Sequence, residues 1–241
     1  MLIARNLPEA AAKILRGLRK DYQVAFEPFR ARGIEINLLK IQDLECVLKG
    51  RDPFKNVSEF PFWVKLWEAA LVLADVAATL PLESGPRLLE LGAGLGAPGL
   101  VAAARGFEVT LSDYEERVLN FQRVSAAASN LKVDCRFLDW QRPPVLTPFN
   151  TIIGAEILFR DDLLSPLLAL FDRLLAPGGA IYLCHDLRRK TLYRFLDLAQ
   201  ADYTIKARKI ELSSGEEKNE VLLNCLTRKE AGSRASRPLD S

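Results

Sequence analysis

The residues best placed to do chemistry bracket one short stretch. Leu88 to Asp113 reads LLELGAGLGAPGLVAAARGFEVTLSD. Glu90 closes a short apolar run, Gly92, Gly94 and Gly96 follow at once, and an Ala-rich segment comes next. A second apolar run, Phe107 to Leu111, then ends in Ser112-Asp113. That order is strand, glycine turn, helix, strand. The glycines allow positive φ and put no Cβ in the way, so backbone amides and a helix start can lie against a ligand. Asp113 falls about 20 residues beyond the glycines, where a nucleotide-binding fold places a carboxylate against ribose hydroxyls.

Gly92-x-Gly94-x-x-Ala97 also satisfies the looser dinucleotide pattern, and a tight strand-helix turn without a ligand would use the same residues. Glu90 argues against a dinucleotide. A carboxylate at the end of the first strand would meet a pyrophosphate of like charge, whereas S-adenosylmethionine has no phosphate and carries an ammonium and a sulfonium. Further candidates recur at the ends of later apolar runs. Asp139-Trp140 follows the third run: the carboxylate reads either as an acceptor for an adenine amine or as a turn residue, and the indole as a stacking surface. Glu156 follows the fourth run. His185 follows the fifth beside Asp186, and a lone histidine there is either a general base or a satisfied polar residue. Upstream, Phe60, Phe62 and Trp63 read as a cluster at the core edge, with Trp67 the better candidate for a cofactor wall.

The elements that must carry these residues follow from periodicity. Pro8 to Lys20 has apolar residues at Ala11, Ile14, Leu15 and Leu18, a helical spacing. Tyr22 to Val47 alternates around Arg32-Gly33 and reads as a small hairpin. Trp67 to Leu80 reads as a helix whose face carries Trp67, Leu71, Ala74 and Ala78, ended by Pro81. Glu115 to Ser129, Leu163 to Leu175 and Arg188 to Ala199 read as helices. Lys132 to Leu138, Thr151 to Ala155 and Ala180 to Cys184 read as strands, with Pro177-Gly178-Gly179 as a break. Tyr203 to Leu212, a polar turn over Ser213 to Asn219, and Val221 to Thr227 form a hairpin signature. The alternation predicts an α/β fold, a doubly wound and mostly parallel sheet with an antiparallel C-terminal hairpin at its edge. Ligands in such sheets bind beyond the carboxyl ends of the strands, where Glu90, Asp113, Asp139, Glu156 and His185 all fall.

Composition narrows the function classes. The 241 residues suffice for one domain with a full core, and 49% hydrophobic with 27% charged residues suits a folded soluble chain. A net charge of +2 is too small to grip nucleic acid. One histidine and four scattered cysteines suggest no metal site and no disulfide framework, and a reduced, cytoplasmic setting is the default. No apolar run reaches membrane-spanning length, so no membrane partner is expected.

Three stretches are similar to one known family: WEAALVLA (Trp67 to Ala74), LLELGAGLGAPGL (Leu88 to Leu100) and GAEILFRDDLLSPLLALF (Gly154 to Phe171), joined by LDW (Leu138 to Trp140). Together they resemble the seven-strand, Rossmann-like class I methyltransferases, and within them the family 16 protein methyltransferases. The resemblance covers residues 60–227, leaving 1–59 as an N-terminal helix with a hairpin cover and 228–241 as a polar tail. It implies S-adenosylmethionine as cofactor, with contacts from Trp67, Glu90, Gly92, Asp113, Trp140 and Ala155. It also implies Glu156 and Phe159 near the acceptor, in an acidic-x-x-aromatic signature. That signature ordinarily ends in tyrosine, and Phe159 has no hydroxyl to offer. The expected reaction is methylation of a lysine on a partner protein. A small-molecule N- or O-methyltransferase and a cofactor-binding regulator without catalysis remain the alternatives.

Overall fold

A computed structural model describes residues 7–43, 47, 62–214 and 217–230. Phe60, Cys46 and the tail beyond residue 230 lie outside the described residues. The chain opens with helix α1 (Glu9–Asp21), which buries Ala11, Leu15 and Leu18. Strands β1 (Val24–Ala31) and β2 (Ile34–Ile41) then pair antiparallel from Ala31 and Ile34 outward. Their two-residue turn has positive φ at both positions, 48° at Arg32 and 82° at Gly33, the mirror-image turn that matches the twist of a hairpin.

Helix α2 (Glu68–Ala77) leads to strand β3 (Arg87–Leu91), helix α3 (Ala97–Ala104), strand β4 (Glu108–Asp113), helix α4 (Glu116–Ala128) and strand β5 (Asp134–Phe137). The second half is strand β6 (Phe149–Ala155), helix α5 (Leu164–Leu174), strand β7 (Leu175–Asp186), helix α6 (Lys190–Ala199) and the long strands β8 (Tyr203–Ser214) and β9 (Glu217–Arg228). Seven strands form one sheet in the order β5-β4-β3-β6-β7-β9-β8. β3 to β7 run parallel, while β9 is antiparallel to both β7 and β8. The chain winds outward from β3 to β5 and then returns to β6 on the other side of β3. The crevice between the ends of β3 and β6 is therefore the topological switch point.

Side chains alternate across this sheet into two cores. Leu88, Leu111, Ile153 and Cys184 meet α2 and α3 on one face, through Leu73, Ala74, Leu100 and Val101. Leu89, Leu91, Ile152 and Leu183 meet α5 and α6 on the other, through Leu167, Phe171, Leu192 and Phe195. The central strands are apolar on both faces because both are covered. A third cluster joins α1, β2 and α4 through Leu15, Leu18, Leu39, Phe121 and Val124. There Ser125 near the end of α4 and Ser129 just past it accept amides from β2, Leu39 N–H to Ser125 Oγ and Asn37 N–H to Ser129 Oγ, each at 2.9 Å.

Three expectations change in detail. The α2 face expected from Leu71 is rotated: Leu71 is 39% exposed and the buried positions are Ala69, Val72, Leu73, Ala74 and Ala77. β7 begins at Leu175 rather than Ala180, straight out of α5, and its pairing jumps from Phe149↔Leu175 to Thr151↔Ala180. Ala176 to Gly179 bulge out of register there, with Gly178 at φ 72°. The polar turn expected over Ser213 to Asn219 is mostly paired strand, since Leu212 lies opposite Asn219 and Ser214 opposite Glu217. Polar side chains do not prevent pairing in a ribbon wet on its outer side. That ribbon runs beyond Val221, the partner of Asp186, and so overhangs the carboxyl end of β7.

Candidate active site

β3 ends by turning Glu90 inward. Its carboxyl is 2% exposed, and Oε2 accepts the Gly99 N–H at 2.7 Å. Gly96 is the residue that caps α3 and has no side chain to offer, while Pro98 has no N–H. Gly99 thus carries an unpaired amide of the first turn, and Glu90 supplies the missing cap from the neighbouring strand. Burial pushes the Glu90 carboxyl up to about 8, against the lowering effect of the Gly99 bond and with help from Asp113. It is therefore mostly protonated at neutral pH. Through Oε2 the side chain builds the loop from beneath.

The loop itself holds Gly92, Gly94 and Gly96 at φ 56°, 52° and 75°. Gly92 and Gly96 are also tightly framed, a Cβ on Gly96 standing 3.0 Å from Leu111 Cδ1. A Cβ on Gly92 would stand 2.9 Å from Ile157 Cγ2 and 3.7 Å from Trp140 Cζ2. One on Gly94 would stand 3.6 Å from the Trp63 Cα. The Gly94 peptide is gripped on both sides, its N–H donating to Asp113 Oδ2 at 2.9 Å and its carbonyl accepting from Gln122 Nε2 at 2.8 Å. Asp113 also accepts the Glu115 N–H at 3.1 Å, and burial raises its carboxyl above the usual range. Asp113 is thus beside the glycine loop as expected, at the end of β4.

Trp140 lies against Gly92, partly buried, at the position expected of a stacking surface. Its neighbour Asp139 makes a turn contact, with Oδ1 accepting the Gln141 N–H at 2.9 Å. Trp67 stands at the start of α2, partly buried, with the Lys65 ammonium 4.8 Å from its ring centre. The segment that touches the glycine loop is Phe62–Val64, one turn upstream. The Trp63 ring rests on Phe121 at 5.3 Å and edge-on to Tyr22 at 6.4 Å, which ties that segment to α4 and the end of α1.

At the end of β6, Ala155 is partly buried and Glu156 adopts φ 55°, a left-handed conformation that a glutamate tolerates poorly. Its N–H donates to the Cys184 carbonyl at 3.0 Å, its Oε1 accepts the Asp186 N–H at 2.7 Å, and its Oε2 pairs with Arg189 Nε. Ile157 fills the gap between Gly92 and Gly154. Phe159, three residues past Glu156, is 46% exposed at the rim.

His185 is fully buried and its Nε2 accepts the Ile157 and Leu158 N–H groups at 3.1 and 3.2 Å. Accepting two donors leaves that nitrogen no free lone pair. Burial, and to a lesser extent Arg189, lowers its pKa to about 3, so the ring is neutral. Nε2 is thus taken up by the loop amides, while Nδ1 is buried without a hydrogen-bond partner among the described residues; of the two roles left open for His185, general base gives way to loop anchor.

A family model described as lysine methyltransferase matches residues 62–202. The chain belongs to that family. The protein N-lysine methyltransferase METTL21A of Xenopus tropicalis is 31% identical over 149 residues, 58% of this chain and 68% of that protein. The EEF1A lysine methyltransferase 3 of Mus musculus is 28% identical over 155 residues, 57% of this chain and 66% of that protein. The chain thus spans about two thirds of the length of these curated relatives. Among solved structures, the Pyrococcus abyssi tRNA (uracil-54, C5)-methyltransferase in complex with S-adenosyl-L-homocysteine shares the fold, with TM-score 0.53 at 16% identity over 83% of this chain and 44% of that one.

Lysine methyltransferase membership makes the protein an enzyme and S-adenosylmethionine its cofactor. The residues present fit that molecule: a cradle of left-handed glycines, a carboxylate beside it on the next strand and an indole against Gly92. Sequence reasoning missed Ile157, Gln122 and the closeness of Trp63. The only signal for Trp63 was its place one helical turn before Trp67, which the local apolar pattern explains equally well as core.

Proposed function

We propose that this lysine methyltransferase transfers the methyl group to the ε-nitrogen of a lysine on a partner protein. The observation that carries the reading is the pairing at the open rim, where a sheltered Glu156 and a half-exposed Phe159 stand three residues apart just past β6. A lysine brings a cationic head on an aliphatic stem, and a carboxylate beside an aromatic wall suits both parts. When bound, the cofactor supplies an electrophilic methyl on a sulfonium. The protein's part is to align the acceptor nitrogen with that methyl and to exclude water.

In this reading Gly92, Gly94, Gly96, Asp113, Trp140 and Ala155 line the cofactor, with Trp67 at its outer wall. Glu90 and Asp139 shape the loops that carry those contacts. Residues 60–227 form the catalytic domain, 1–59 its cover and 228–241 a polar tail. No helix among the described residues is long and apolar enough to cross a membrane, which is compatible with a cytoplasmic site of action.

Incubating the purified protein with labelled S-adenosylmethionine and a cell lysate, then mapping the label by mass spectrometry, tests the proposal. Label on lysine side chains of one or a few proteins is the expected result. Label confined to small molecules, or to residues other than lysine, would overturn it.

A further inference from the structure

The acid of the rim is not free. Glu156 has Oε1 on the Asp186 amide and Oε2 on the Arg189 guanidinium, and the two side chains are 13% and 28% exposed. A sheltered charge is weakly screened, so what stands beside it decides the charge of the acceptor. A lone carboxylate favours the ammonium form of an approaching amine. An ammonium has no lone pair and cannot accept a methyl group: the nitrogen must first give its proton to solvent water, and its electron pair then forms the new N–C bond as the methyl–sulfur bond breaks and S-adenosylhomocysteine leaves.

We infer that Arg189 is a positioning residue for the transfer step, acting through Glu156: its guanidinium offsets the carboxylate, so that the incoming lysine is held in place yet released from its proton. This rests on the lysine reading above.

The surroundings give the guanidinium a fixed seat. Arg189 immediately precedes α6, two residues before Thr191, whose hydroxyl donates to the Leu158 carbonyl. With His185 accepting the Ile157 and Leu158 amides, the segment from His185 to Thr191 clamps the loop that carries Glu156. The other charged or titratable groups facing the pair leave the balance to Arg189. His185 is neutral, and burial pushes the Cys184 thiol far above its usual range. Asp186 holds Arg188 through both of its carboxylate oxygens, and Glu68 of α2 and Glu156 both bear on that same guanidinium. Arg188 is thereby committed to a carboxylate of its own, whereas Arg189 pairs with Glu156, its charge bearing on Asp186 only as a lesser effect behind that of Arg188.

The test uses the full chain with labelled S-adenosylmethionine and a pooled library of single-lysine peptides as the acceptor probe. The peptide that wild type labels best is then followed as kcat and KM against pH, for wild type, Arg189→Gln and Arg189→Lys. The Gln variant is expected to keep or lower the KM for the peptide while the midpoint of the kcat profile moves to higher pH by about one unit. The Lys variant is expected to restore the wild-type midpoint. Arg189→Met, which keeps the stem but not the charge, replaces the Gln variant should that one fail to fold, with the same shift expected. A lower kcat with a higher KM and an unmoved midpoint would show a structural role only and overturn the inference while leaving the lysine reading intact. Failure of wild type to label any lysine overturns both, and does so before a variant is made.

Discussion

Glu90 shows how one side chain answers two demands at the same place. The strand must end and the helix must start within a few residues, and the glycines that make the turn provide no cap. Its carboxyl does so from below, at the cost of burial that raises it to about 8 from an ordinary 4.5. A group whose folded-state pKa is raised binds protons better folded than unfolded. Its contribution is full below pH 4.5 and is lost as pH climbs through 8. Glu90→Gln keeps the acceptor oxygen and discards the titration. The variant should therefore hold its urea midpoint between pH 6 and pH 9 better than wild type does, and should be the more stable of the two at pH 9. His185 runs the other way. Its pKa falls from 6.5 to about 3, so its contribution is full above pH 6.5 and is lost as pH falls toward 3. His185→Ala strands two buried amides and should cost roughly 2–4 kcal/mol in urea unfolding at pH 7.5. The gap between variant and wild type should narrow at pH 5.

Among the elements, those with strong periodicity were legible. α1, α4, α5 and α6 fall within two residues of where their apolar spacing puts them. The parallel strands could be read from short apolar runs ending in acids, because strands covered on both faces leave no polar residue until the rim. What the spacing could not carry were decisions made by distant contacts. Leu71 shares a helical face with Trp67 and Ala74, yet α2 turns its Ala69 and Leu73 face to the sheet, since small residues let the helix approach closely. The site divided in the same way: the glycines, Asp113 and Trp140 were visible as types at the right spacing. The roles of Glu90, Asp139 and His185 depended on amides that no spacing reveals. The junction of α4 with β2 also belongs to this scale, because two amides of β2 meet serines 86 and 92 residues away. Ser125→Ala leaves the buried Leu39 amide without a partner and should destabilise the fold by about 1–3 kcal/mol. Hydrogen exchange at Leu39 should accelerate in the same variant, and the cofactor affinity should change little.

For the molecule as a whole, the order of the strands does the gathering. Residues as far apart in the chain as Gly92, Asp113, Trp140 and Glu156 meet because each stands where a parallel strand stops. The same order leaves β8 as the last strand on its side among the described residues, twelve residues long and paired there with β9. The outer backbone groups of such a strand are a template for pairing with a second copy. Lys206 and Arg208 lie exposed along it, while Lys209 is paired with Glu220 and Glu211, and repulsion between like charges is a common defence of such a border. The solution behaviour of the enzyme should then depend on salt. Light scattering should show discrete particles at low ionic strength, and replacing Lys206 and Arg208 by threonine should produce growing aggregates in the same buffer. Concentrated stocks of the natural chain will keep best where little electrolyte is present to mute those cations.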